Sequence, residues 1–471
     1  MNHTIYRYRN PLTYQDFLDT GENTDDRLNF IRAAIDNHQR TEAYIVADAA
    51  DDYMRKKNRT IADYQRLLYK VTGEAVPDIY GANYKLYSSF YFRFITQQVQ
   101  FSLGNGIKWK NKAAAEKALG NNLDFVIRDA ANDALNGGVS FLFFNLDHVE
   151  EFSVREFVPL SDEETGALSA GVRWWQIDRT KPLRATLYEL DGYTDYIYEA
   201  NGKGRVLHEK RPYILHLTGD RKDEAENTQI AAGENYPGFP IVPCYGNPLR
   251  QSELIGIRES IDAYDLIKSG YCNNVDEASI FFWTVQNAGG MNDIDLAKFV
   301  ERMKTLHASY ISGDDGAKVE SHTMEAPYES REALLKTLSA DLYRDFMTLD
   351  TAEIAGGATT ATQIVAGYEP MNSKADLFEG CILEALYKVM ALAGVEDEPT
   401  FQRSYIINQT EEIQSVLLAA AYLPETYVTE KILTILGDGD RAEEIIRQME
   451  ADEYDRLNGA AGTTDGGNNG I

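Results

Sequence analysis

Apolar residues recur every three or four positions in two stretches of the carboxy-terminal half, with a small polar segment between them. In SREALLKTLSADLYRDFMTLD (330–350) the recurring positions are Leu335, Leu338, Leu342, Phe346 and Leu349. Lys336, Asp341, Arg344 and Asp345 fall mostly off that stripe, so the stretch reads as an amphipathic helix. KADLFEGCILEALYKVMALAG (374–394) repeats the pattern with Phe378, Ile382, Leu386, Val389 and Ala393, and Gly394 supplies a C-terminal stop. Between them, TAEIAGGATTATQ (351–363) offers no large side chain as a core anchor, and Gly356-Gly357 breaks the helix. The pattern predicts helix, glycine-threonine loop, helix, with a loop that sits close to something or moves.

Toward the amino terminus, Leu28–Ile35, Ala43–Arg55 and Ile61–Val71 carry helical spacing or helix-forming residues. The aromatic-rich segment Asn83–Trp109 predicts a buried helix from Leu86 to Leu103, ended by Gly104. Stacking of nucleic-acid bases on its tyrosines is disfavoured, because Lys85 and Arg93 are its only cations before the turn at Gly104. A helix, FVIRDAANDALNGG (125–138), runs through Gly137-Gly138 into the strand VSFLFFNL (139–146). Short β-branched and aromatic runs follow, broken by Asp191-Gly192 and Asn201-Gly202. They predict one meandering antiparallel sheet over residues 145–220.

Pro237, Pro240, Pro243 and Pro248 then force extended structure and mark a boundary. Ser252 reads as the N-cap of a long helix (253–277) in which Leu254, Ile257, Ile261, Tyr264, Ile267 and Tyr271 step by three or four. An α/β insert follows: strand 280–287, helix 296–306, and strands 309–312 and 318–325 around the turn Ser312-Gly313-Asp314-Asp315-Gly316. Beyond Gly394, residues 400–409 predict a lone strand that returns to the earlier sheet. Residues 411–423, 425–436 and 441–457 predict a small helical unit, with Asp440 and Glu443 as a capping box. The tail 458–471 is low in complexity and reads as disordered.

At 471 residues the chain exceeds what one core usually serves, so two or more subdomains are expected. Its 46 Lys and Arg stand against 74 Asp and Glu, a formal charge of -28. A chain this acidic does not grip nucleic acid tightly, because non-specific binding sets cations against phosphates. It is still able to surround a duplex without holding it. The odd, scattered Cys244, Cys272 and Cys381 argue against a disulfide framework and for a reducing compartment. The start of the chain has no apolar leader, and no apolar run approaches the ~20 residues of a membrane span.

The motifs that carry chemistry are missing: there is no phosphate-binding P-loop, no H-E-x-x-H, no C-x-x-C and no G-x-S-x-G. His307 and His322 lie at no ligand spacing, and Asp438, Asp440, Glu443 and Glu444 lack the glycine and final glutamate of a calcium loop. The residues therefore nominate no catalytic, cofactor-binding or metal-ligating site, and the expectation is a protein that is not an enzyme and needs no cofactor.

The order of segments from Ile45 to Leu457 resembles the portal proteins of tailed bacteriophages, in the branch typified by siphophages of Gram-positive hosts. The resemblance is carried by PGFPIVPCYGNPLRQSELIGIRESIDAYDLIKSGYCNNVDE, by SGDDG ahead of Pro327, by GGATTATQI, and by ETYVTEKIL with GDGDRAEEIIRQMEADE. One departure falls at Leu103-Gly104-Asn105-Gly106-Ile107, where the family usually has lysine and proline after the first glycine. The resemblance implies an α+β portal fold and a homododecameric ring around a DNA channel. Its parts would be a wing (1–251 and the strand 395–409), stem helices (252–276 and 328–349), a clip (277–327), a tunnel loop (350–361), a long wing helix (362–394) and a crown (410–457).

It also implies a tunnel loop in which Asp350, Thr351, Glu353, Gly356, Gly357, Ala358, Thr359 and Thr360 face DNA. Partners implied are the terminase large subunit, the head-tail adaptor, and major capsid and scaffold proteins. Double-stranded DNA would pass without sequence specificity and without membrane involvement. The location implied is the portal vertex of the virion, after assembly in the host cytoplasm, with roles in packaging and genome ejection. A cytosolic α+β enzyme with an unrecognised site, or another virion structural protein, stays open at this point.

Overall fold

Helix Leu123–Gly137 turns through Gly138 into the strand Val139–Asn145, and much of the core is laid down around this unit. Gly138 sits at φ +83°, and a Cβ there would meet the Gln251 backbone at 2.8 Å, so the turn needs glycine. The computed structural model describes residues 12–69, 73–78, 81–218, 229–278, 282–286, 293–306, 318–322, 328–350, 361–404, 409–437, 439–449 and 451. It is a mixed helix-and-sheet, α+β, protein.

The strand Val139–Asn145 is apolar at almost every position because both of its faces are covered. Ser140 donates from Oγ to the Ala130 carbonyl at 2.7 Å, which puts the even positions against helix Leu123–Gly137. The odd positions face aromatics: Phe141 lies 4.4 Å from Phe157 and Phe143 lies 5.1 Å from Tyr188, ring centre to ring centre.

Here the single meander expected from 145 to 220 divides. Strands Phe157–Ser161, Leu168–Trp175, Leu183–Glu189, Gly192–Tyr198 and Gly204–Arg211 form a five-stranded antiparallel sheet in chain order. Val139–Asn145 belongs to a separate three-stranded sheet, between His148–Ser153 and the distant Ile241–Tyr245. Among the described residues Ile214–Thr218 pairs only with Gln229–Glu234. The alternation of side chains reports strands but not partners, and Ile241–Tyr245 is paired across about a hundred residues of chain. Pro243 is tolerated there because that strand is an edge.

Helix Thr24–His38 covers the five-stranded sheet, with Ile31, Ala34 and Ile35 among Val158, Leu160 and Val172. Helix Ala361–Ala393 packs on Ile241–Tyr245 and buries Phe378, Ile382, Leu386 and Val389, the stripe its spacing predicts. Pro370 lies within it. Of the strand expected at 400–409, Thr400–Phe401 pairs with Ile107–Lys108 and not with either larger sheet, residues 402–404 are not strand, and 405–408 lie outside the described residues.

Contacts divide the chain after Arg403. In the second unit, helices Gln409–Ala419 and Glu425–Leu436 are followed by a short 3-10 turn and helix 442–449. Gly437, at φ +94°, ends the second of these helices in the left-handed conformation. Among the described residues no helix is long and apolar enough to cross a membrane.

Candidate functional site

The two helical arms on either side of the insert are Arg258–Ala278 and Tyr328–Phe346. The first begins later than its N-cap signal predicts. Ser252 does cap, accepting from the Leu254 amide at 3.1 Å, but Gly256 sits at φ +91° and holds residues 253–257 in turns. Ile257 just ahead of it, and Ile261, Asp265 and Ser269 within it, all spaced by four, are the positions buried on its inward side. The last two are polar.

Their partner is the backbone just before helix Phe90–Leu103. Asp265 accepts from the Ser88 amide at 2.8 Å, Ser269 Oγ accepts from the Leu86 amide at 3.0 Å, and Asn273 Oδ1 accepts from the Tyr84 amide at 2.7 Å. Side chains four apart on a helix thus meet alternate amides of this segment, which has no sheet neighbour among the described residues. This explains why the aromatic helix starts at Phe90 and not at Leu86. Asp265 also accepts from Asn58 Nδ2 at 3.0 Å, and burial holds its carboxyl above the usual range against these hydrogen bonds.

The second arm runs antiparallel to the first. Tyr328 meets Tyr271 edge-on at 5.7 Å, and Arg331 reaches back to the Gly270 carbonyl at 3.3 Å and to the Asn274 side-chain amide. At the other end, Tyr264, Phe90, Phe94, Tyr343 and Phe346 form one aromatic seam, with Phe94 stacked on Phe346 at 4.8 Å. Arg93 lies over Phe90 and Tyr343. The aromatic run near residue 90 is therefore core.

Met347, a non-glycine residue at φ +59°, turns the chain out of the second arm. Lys374 from the long helix holds that end: its ammonium donates to the Phe346 carbonyl at 3.0 Å, lies over the Phe346 ring, and pairs with Glu253 at 2.7 Å. Burial lowers the Lys374 pKa and the Glu253 carboxylate opposes that shift. A cation at a helix C-terminus is favourable against the helix dipole. Beside it Leu349, Phe101, Tyr368, Met371 and Ala375 form a small apolar cluster, and Gln97 donates to the Leu349 carbonyl at 3.3 Å. These contacts fix both chain ends from which the glycine-threonine segment leaves.

Of the residues expected to face DNA, only Asp350 is described; it is half-buried, and its charge acts on Tyr343. Thr351, Glu353, Gly356, Gly357, Ala358, Thr359 and Thr360 lie outside the described residues. The strand expected at 309–312 does too, whereas Phe282–Gln286, helix Asp293–Leu306 and Lys318–His322 form a β-α-β insert with its two strands paired antiparallel. Among the described residues no group of three His, Cys, Asp or Glu is arranged to hold a metal ion. Asp265, Ser269 and Asn273 are polar, so the apolar spacing of the first arm does not mark them. Their own four-residue spacing was the available signal.

The family model for "Phage portal protein, SPP1 Gp6-like" matches residues 34–454. The portal protein of Clostridium phage phiCD119 is 22% identical over 332 residues, spanning 66% of this chain and 70% of its own. The portal protein of Bacillus phage SPP1 is 21% identical over 380 residues, spanning 75% of this chain and 73% of its own.

Proposed function

The chain belongs to the SPP1 Gp6-like phage portal protein family, and from that premise we propose that its ring conducts double-stranded DNA into and out of the capsid. Portal proteins are structural virion components that form homo-oligomeric rings in association with the capsid. The family match over residues 34–454 is the observation that carries this reading.

The division of labour within the chain follows the same reading. Residues 1–251 with 395–409 act as wing, 252–276 and 328–349 as stem, 277–327 as clip, 350–361 as tunnel loop, 362–394 as long helix and 410–457 as crown. Support comes from the antiparallel pairing of the two arms with an insert between their far ends. Such an insert is suited to docking the packaging motor and later the tail adaptor. The formal charge of -28 supports passage without adhesion, since no cation–phosphate contact has to be broken at each step. Assembly takes place in the host cytoplasm, with twelve copies in the ring.

Negative-stain imaging of the purified chain tests the reading. Closed rings with a central hole are expected. A monodisperse monomer at micromolar concentration would overturn it.

A further inference from the structure

A groove of about 430 Å³ opens between the two helical arms and the segments near Tyr64 and Tyr84. Its rim is apolar and open: Tyr64 is 47% exposed, Tyr84 52%, Leu266 39% and Leu334 46%. Three cations line it: Arg66, which pairs with Asp78 at 3.5 Å, and Lys85 and Arg331. Lys85 donates to the carbonyls of Ile61 and Tyr64, and Arg331 to Gly270 and the Asn274 amide. Neither Lys85 nor Arg331 forms an ion pair among the described residues, in a chain where acids outnumber Lys and Arg by 74 to 46.

Resting on the portal reading, we propose that this groove receives an acidic, partly apolar face of the neighbouring copy in the ring. A cyclic assembly joins unlike faces, so each copy carries one acceptor surface and one donor surface. Copies bearing a formal charge of -28 repel one another as the ring closes. An acceptor surface must offset that repulsion with positive charge not already neutralised within its own copy. Among the described residues Lys85 and Arg331 meet this condition, and the exposed tyrosine and leucine side chains around them supply apolar area to bury. The hydrogen bonds to carbonyls orient both cations without discharging them.

The test compares wild type with Leu334→Glu, Tyr84→Glu and Lys85→Gln by sedimentation velocity and by thermal unfolding. Leu334→Glu and Tyr84→Glu are expected to abolish rings while leaving the unfolding midpoint of the monomer unchanged. Lys85→Gln is expected to raise the concentration for half-assembly about tenfold, a change of ~1.4 kcal/mol. Hydroxyl-radical footprinting of wild type adds a measurement free of folding defects: Tyr64 and Tyr84 should be modified in dissociated protein and shielded in the ring. Variants that assemble like wild type, or equal modification of both tyrosines in ring and monomer, would overturn the groove while leaving the ring itself intact. A lowered midpoint with normal assembly would show that the chain's own residues fill the groove, and also overturns it. A wild-type chain that never forms rings would instead remove the portal reading, and this inference with it.

Discussion

Glu151 is an ionisable residue strongly displaced by its surroundings. Burial first, then the carboxylates of Asp133 and Glu156, push its pKa from 4.5 up to about 9. The folded chain therefore holds this proton where the unfolded chain has lost it. Its contribution to stability is fully present below about pH 4.5 and is lost as pH rises towards 9. Glu151→Gln, which stays neutral and keeps a donor toward Asp133, is expected to raise the melting temperature at pH 8 by on the order of 2–4 °C. It should leave the value at pH 4 unchanged; an equal shift at both pH values would contradict the assignment. Lys374 makes the opposite case, a largely but not fully buried charge that is paired. Lys374→Met leaves Glu253 unpaired and is expected to cost about 3–5 kcal/mol in denaturant unfolding. Adding Glu253→Gln should recover more than half of that loss, because the uncompensated charge is gone while the Asn247 contact of residue 253 is retained.

At the scale of elements, the first arm is held in place by polar side chains at positions where an amphipathic helix usually presents apolar ones. Asp265, Ser269 and Asn273 satisfy the amides of Ser88, Leu86 and Tyr84 in a segment with no sheet neighbour among the described residues. Ser269→Ala leaves the Leu86 amide without its acceptor, a loss of ~1–2 kcal/mol by the usual penalty for a buried unpaired group. Amide exchange at residues 84–88 should speed up accordingly, while helix Leu123–Gly137 keeps its protection. If exchange in 84–88 stays at the wild-type rate, water or another group serves these amides and the three-residue ladder is not what orders the segment.

At the scale of the whole molecule, the prediction concerns DNA passing a ring of like charge. Thr359 and Thr360 carry no charge, and Gly356 and Gly357 allow backbone conformations closed to other residues. If this segment borders the channel, Thr359→Lys with Thr360→Lys creates salt-sensitive phosphate contacts that slow or stall packaging, with ring assembly unchanged. Packaging at the normal rate in low salt by the doubly substituted ring would remove the segment from the channel wall.

Much of the local structure was legible in the sequence. The helices around Leu342 and Leu386, the turn at Gly138, the β-α-β insert and the burial of the aromatic run near residue 90 follow from spacing and turn chemistry, both properties of neighbouring residues. What only the tertiary structure decided is partnership. Ile241–Tyr245 completes the sheet of Val139–Asn145, and Thr400–Phe401 pairs with Ile107–Lys108 and not with a larger sheet. Asp265 turns inward because alternate amides of a distant segment await it, and Lys374 finds Glu253 across a span of 121 residues. Periodicity records which side of an element must leave water; it carries no record of what meets that side, because that depends on closing long loops and on the shape left by every other element.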